Sequence, residues 1–199
     1  MKLRDLLAAA TVAAFFTTSP TFAADFSLLG AYWDTDAAGD TAGGGIGLGL
    51  PLNDRFGFEL RATYFEELSD DPIANAFDSD DPVFQDQGIQ VLPLDAGMRL
   101  TFGSGGGMRP YLAGGASYFL LDSDFGEVSD ELGYYAAVGA TFGDARGTDF
   151  FVEGLWRKAT AQVEIDPERL DDIDDLDVEG RADVDLEGFG INLGLRWNF

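Results

Sequence analysis

The 199-residue chain contains no cysteine and no histidine. Without cysteine it forms no disulfide, no thiolate metal site and no thiol nucleophile. Without histidine, the base that most often activates a serine nucleophile is missing. Basic residues are scarce as well: 12 Lys and Arg stand against 36 Asp and Glu, a formal net charge of −24. Nucleic acid is therefore excluded as a partner, because its phosphates demand Lys and Arg. No apolar run approaches the ~20 residues of a membrane-spanning helix. High net charge with few aromatics would suggest disorder. Here aromatics make up 13% of the chain, so the charge must be segregated from the apolar parts.

The first 23 residues read as a secretory signal peptide. Lys2 and Arg4 precede an apolar run from Leu6 to Phe16, and a small-residue site follows at Thr21-Phe22-Ala23. The spacing predicts cleavage after Ala23 and one domain over residues 24–199.

Within that domain the dominant signal is alternation. In GFGINLGLRWNF, Phe189, Ile191, Leu193, Leu195, Trp197 and Phe199 fall on one parity, with Gly, Asn and Arg on the other. Successive side chains of a strand point to opposite faces, so a period of two is a strand signature. Alternating runs also begin at Ile46, Phe56, Leu94, Tyr134 and Phe150. Asp25–Trp33 and Pro110–Leu120 have strand composition with ambiguous parity. Eight strands are expected in total.

The connections alternate in length. Short ones are expected at 53–55, 103–109 and 143–149, and long ones at 34–41, 66–87, 122–131 and 159–187. In an up-and-down meander all long loops then lie at one end. Those four loops hold 28 of the 35 acidic residues beyond position 23, with only Arg169 and Arg181 as bases. The negative charge therefore gathers at one end.

The parity opposite the apolar one is Gly, Ala, Thr and Asn with isolated charges of both signs. Glu59, Asp95 and Glu153 accompany Arg61, Arg99, Arg157 and Arg196. A soluble sandwich would show a uniformly hydrophilic outer face. Small residues with paired charges suit the inside of a narrow barrel, and the apolar face then meets lipid, where only a closed barrel satisfies every backbone group. Aromatics lie near both strand ends, as interfacial girdles require. Pro93 fits if the fourth strand begins at Leu94. The expected fold is an all-β, eight-stranded antiparallel up-and-down transmembrane β-barrel.

On these residues the chain resembles the small eight-stranded outer-membrane barrels of Gram-negative bacteria, of the OmpX, opacity and OmpA-membrane-domain type. The resemblance covers residues 24–199. It implies residence in the bacterial outer membrane, among lipid and lipopolysaccharide. It also implies recognition of Trp197 and Phe199, on the C-terminal strand, by the barrel-assembly machinery. Members that carry hydrolase or acyl-transfer chemistry depend, the resemblance implies, on His, which this chain lacks.

Candidate sites are few. Glu59, Asp95 and Glu153 are the only carboxylates placed for a glycosidase-like pair, and pairing with interior arginines is the expected alternative. In the longest loop Asp175, Asp177, Glu179, Gly180 and Asp183 match five positions of a calcium loop, but the twelfth is Leu186 rather than Glu. Weak, multi-site binding of Ca²⁺ or Mg²⁺ by clustered carboxylates is the looser expectation, with a merely solvated acidic rim beside it. GIGLG and GSGGG carry no P-loop Lys and read as strand and turn glycines. No other cofactor is expected, and the oligomeric state is open. The leading expectation is a non-enzymatic barrel with a structural or surface-interaction role. A narrow passive pore is the alternative, favoured by Ala113, Gly115, Ala137 and Gly139 inside the fifth and sixth strands. A secreted, soluble, calcium-binding β-sandwich is the third.

Overall fold

The computed structural model describes residues 24–36, 39–65, 89–103, 107–123, 127–128, 130–143, 147–164 and 181–199. Of these, residues 89, 122–123, 127–128, 161–164 and 181–184 are described by their backbone alone. Eight strands close into a barrel: β1 (Asp25–Thr35), β2 (Gly39–Pro51), β3 (Phe56–Phe65), β4 (Ile89–Thr101), β5 (Gly107–Ser123), β7 (Glu131–Gly143), β8 (Thr148–Lys158) and β11 (Gly188–Asn198). Every neighbouring pair is antiparallel. Closure comes from β1, where Leu28 faces Ile46 of β2 on one side and Leu195 of β11 on the other. With both edges of the sheet joined, no row of backbone groups is left open.

The alternation is realised as inside and outside. Along β1 every second residue, from Asp25 to Thr35, is buried, and those between are mostly exposed. The outward set is apolar: Val138 is 61% exposed, Phe189 70% and Leu193 49%. So extensive an apolar surface is stable only where its surroundings are apolar too.

Both ends of the barrel are tightly built. At the turn end Asn53 Oδ1 accepts bonds from the amides of Arg55 and Phe56, both 3.0 Å, a side-chain turn that returns the chain into β3. Gly103 and Gly107 flank the next turn with φ of +88° and +105°, which a side chain would strain. Ala24, which leads into β1, meets the end of the chain here, where the Phe199 amide donates to Ala24 O at 3.0 Å.

The outer end departs from the expected layout. The connection expected over 34–41 is largely strand, because β1 runs to Thr35 and β2 resumes at Gly39. The connections over 122–131 and 159–187 carry strands of their own: β6 (Glu127–Val128), β9 (Thr160–Glu164) and β10 (Arg181–Asp185) form a small sheet in the order β10–β9–β6. The pairing of Thr160 with Asp185 keeps the register of Arg157 with Gly188. The β8–β11 ribbon therefore rises past the rim unshifted. Residues 66–87, expected as a long connection, lie outside the described residues.

Pro93 also differs from expectation. It is the fifth residue of β4, not a residue before its start. Ladder pairs run from Phe56–Leu100 to Ala62–Leu94 and resume only at Phe65–Val91. The interruption falls opposite Thr63 and Tyr64, where Pro93 has no N–H to give. The ladder with β5 continues through Pro93–Phe119.

Candidate functional site

The lumen is the one place where polar chemistry concentrates among the described residues. The strands aim ten charged side chains inward: Arg61, Arg99, Arg109, Arg157 and Arg196 against Asp25, Glu59, Asp95, Asp149 and Glu153. The two signs balance. Each pair lies at a different height.

Nearest the turn end, Arg109 pairs with Asp149, which also accepts from Asn198 Nδ2 at 3.1 Å. Above it Asp25 lies between Arg99, at 2.8 Å, and Arg196, at 3.4 Å. At mid-height Arg61 bonds Glu59 at 3.0 Å and pairs with Glu153. Tyr135 OH donates to Glu59 at 3.1 Å; Tyr111 OH and Asn192 Nδ2 donate to Glu153 at 3.0 and 2.9 Å. Higher still, Asp95 accepts from Arg157 at 2.7 Å and from Ser117 Oγ at 2.6 Å. Stacked guanidinium contacts add to this: Arg99 and Arg196 lie 6.0 and 5.8 Å from the Tyr111 ring.

Small residues make this packing possible. A Cβ at Gly139 would lie 2.5 Å from the Tyr111 ring, and one at Gly97 would strike the Tyr135 hydroxyl. On β2 the inward positions Gly43, Gly45, Gly47 and Gly49 leave room for Phe65, Thr63, Ser27 and Asp25. The space that Ala113, Gly115, Ala137 and Gly139 were expected to leave for water is taken up. Tyr111 fills against Gly139, and Tyr135, Ala137 and Leu155 form a buried cluster on which Ala113 packs.

Above the charged layers the lumen turns apolar. Trp33, Phe65, Val91 and Phe119 are fully buried, with Leu121 and Leu186 nearly so. Trp33 packs on Phe65 and Phe119 with ring centroids 5.5 and 6.0 Å apart. This collar closes the outer mouth, and Leu186 comes to it from the base of the outer ribbon. Its amide donates to Ala159 O at 2.9 Å. Beside it on the rim, Lys158 pairs with Glu187. The bond from Lys158 holds the Glu187 carboxyl below its ordinary value, and the same bond raises the Lys158 ammonium.

The structure places Glu59, Arg61, Asp95, Arg99, Glu153, Arg157 and Arg196 in this single lumenal cluster. Trp197 stacks on Phe26 at 5.8 Å, and Phe199 is 75% exposed at the turn end. Asp175, Asp177 and Glu179 lie outside the described residues. Asp183 is described only as backbone, paired with Gln162. Among the described residues no three acidic side chains converge to hold a metal ion.

Sequence reasoning missed Asp25, Arg109, Asp149, Tyr111, Tyr135, Asn192 and the collar. A usable signal for the collar was present: the aromatic doublets Tyr32-Trp33, Tyr64-Phe65 and Tyr118-Phe119. In each the Tyr faces outward and its neighbour is buried.

No protein-family model and no curated protein sequence matches this chain. Solved structures do. Against the outer membrane protein OprG of Pseudomonas aeruginosa the TM-score is 0.65 at 15% identity, covering 89% of this chain and 97% of that one. Neisserial surface protein A gives 0.55 at 14% identity, with the same coverage of 89% and 97%. The outer membrane protein AlkL gives 0.55 at 8% identity over 92% of each chain. All three are small outer-membrane barrels, and this chain shares their fold.

Proposed function

We propose that this chain is a non-enzymatic, integral protein of the bacterial outer membrane, exported by residues 1–23, whose closed barrel serves to display its outer loops. The observation that carries this reading is the lumen. Five arginines and five carboxylates engage one another across its cross-section, and an apolar collar covers them. An ion crossing it would have to break several buried ion pairs at once. The same pairing supports the absence of catalysis: Glu59, Asp95 and Glu153 each bond an arginine, leaving no carboxyl poised as a general acid.

Function then rests on the outer end. Lipopolysaccharide is anionic, and acidic loops approach it favourably only through bridging divalent cations. The apolar outer face meets lipid. The C-terminal strand, with half-buried Trp197 and exposed Phe199, is the segment offered to the assembly machinery.

The test is single-channel conductance of the purified barrel in planar bilayers, with insertion verified by heat-shifted gel mobility. A silent bilayer is expected. Stable, reproducible steps would overturn the reading and make Arg61, Arg99, Arg157 and Arg196 selectivity residues of a narrow pore.

A further inference from the structure

We infer that the outer wall of β1 and β2 holds one acyl chain of a lipid whose headgroup ends in an ammonium. The chain lies in a groove of about 630 Å³ on the lipid-facing side of the barrel. Gly30 and Gly44 form its floor, and Leu28, Ile46, Tyr64 and Leu195 flank it. The two glycines face each other across the β1–β2 ladder, on the outward parity. Packing requires neither of them. A Cβ at Gly30 would meet nothing within 4 Å, and one at Gly44 only Leu29 O at 3.6 Å. The inward glycines beside them differ: a Cβ at Gly43 would lie 2.1 Å from Tyr64 O, and one at Gly45 2.4 Å from Ala62 O. The hollow in the outer wall is therefore open space rather than a close approach of two chains.

What fills it follows from the order of side chains along the outward seam of β1 and β2. From mid-barrel toward the outer end the ladder pairs are Leu28–Ile46, Gly30–Gly44, Tyr32–Ala42 and Asp34–Asp40. The seam runs from an apolar step through the hollow and the tyrosine girdle to two carboxylates. A lipid presents the matching order of tail, interface and head. Tyr64 bounds the groove toward the outer end, and its hydroxyl donates to Gln90 at 3.4 Å. A methylene chain fills an apolar groove of this kind by dispersion contacts and buries no unbonded polar group.

Charge decides the headgroup. Asp34 and Asp40 are both exposed and are cross-strand partners, and like charges directly opposite one another repel. Tyr32 OH donates to Asp40 at 3.2 Å, which satisfies an oxygen without cancelling the charge. The two acids stand four residues beyond the glycines, about 13 Å along the strands. With the acids at headgroup level, the glycines therefore lie within the hydrocarbon. An ammonium between Asp34 and Asp40 relieves their repulsion, and a head of net negative charge would add to it. The inference rests on the barrel spanning the outer membrane and names the class of lipid held on its wall.

The test inserts the full chain into vesicles of phosphatidylethanolamine and phosphatidylglycerol, in equal parts and with matched chains, with a chelator present to remove divalent cations. Heat-shifted gel mobility scores insertion. Native mass spectrometry of the detergent-released barrel counts the lipid it retains. One ethanolamine lipid per barrel is expected, favoured about tenfold over the glycerol lipid. Gly30→Leu with Gly44→Leu fills the groove and should abolish retention. Gly154→Leu, outward on β8 where a Cβ would lie 3.9 Å from Val138 O, should leave retention unchanged. Asp34→Asn with Asp40→Asn should keep a lipid but lose the tenfold preference. Should a variant lose its heat-shifted mobility, the preference of the unaltered barrel decides alone. Equal retention of the two lipids, or retention that survives the filled groove, overturns the site. So does a dimer that the filled groove converts to monomer, because a second copy then occupies the wall. An unaltered chain that fails to insert would overturn the membrane reading and the site with it.

Discussion

Glu153 receives more donors than any other described side chain. Arg61 Nη1 and Nη2, the Tyr111 hydroxyl and the Asn192 amide all reach it. The reason is geometric: β8 holds it at mid-height, where β3, β5 and β11 all point inward. Replacing Glu153 by Gln keeps the shape and removes the charge, leaving Arg61 buried with Glu59 and a distant Asp95. A loss of about 3–5 kcal/mol is expected, the range for breaking one side of a buried pair. Urea unfolding in lipid vesicles measures it, and a loss under about 1 kcal/mol would mean the network is wet and loosely coupled. The charged members of this network were legible because isolated charges on a Gly- and Thr-rich parity are unusual in a strand. Tyr135 and Asn192 sat on that same parity but looked ordinary. Asp25 lies in a strand whose parity the sequence left ambiguous, and Arg109 was placed in the connection over 103–109, whereas β5 already begins at Gly107.

Strands are legible when the two faces differ in hydropathy, and they fade where the faces become alike. Inside the membrane the contrast is strong, so six alternating runs were found directly. At the outer end both faces carry aromatics, as in Tyr64-Phe65, and strands continue where loop composition suggested they stop. Pro93 was placed before its strand for the same reason: a lone Pro argues against a central strand. The barrel tolerates it by leaving the β3–β4 ladder unpaired opposite Thr63 and Tyr64. Pro93→Thr restores an N–H at that position. Slower amide exchange at residues 91–94 and 63–65 is expected, with higher thermal stability; unchanged exchange would mean that the interruption is set by the backbone of β3. The rim ribbon carries a pH dependence of its own. Because the folded Glu187 carboxyl lies below its unfolded value, its contribution is full above the unfolded value. It is lost as pH falls through the lowered folded one. Lys158 acts at the other extreme: its raised value means stability present at neutral pH and lost as pH rises through it. The protection factor of the Leu186 amide, which bonds Ala159, should therefore be greatest between these limits and fall at both. A pH-independent protection factor would show that the pair does not hold the rim.

For the whole molecule the governing fact is where charge is allowed. The lumen is balanced, and the outward face within the strands is almost free of charge, so a net charge of −24 must sit mainly in the connections at the outer end. That distribution is an expectation from the alternation of loop lengths; the fold of the connections was not legible, because their sequences lack any alternating contrast. Among the described residues the rim already shows Asp34, Asp36, Asp40 and Asp185 exposed, with Lys158 beside Glu187. Such a surface repels itself, and divalent cations would relieve that repulsion. Carboxylates without a fixed coordination shell bind weakly, so dissociation constants on the order of 1 mM are expected, with several ions per chain. Calorimetry with calcium chloride at low ionic strength should show heat that shrinks as sodium chloride is added, and magnesium should compete. Titration without measurable heat at millimolar calcium would leave the acidic crown as a solvated surface only.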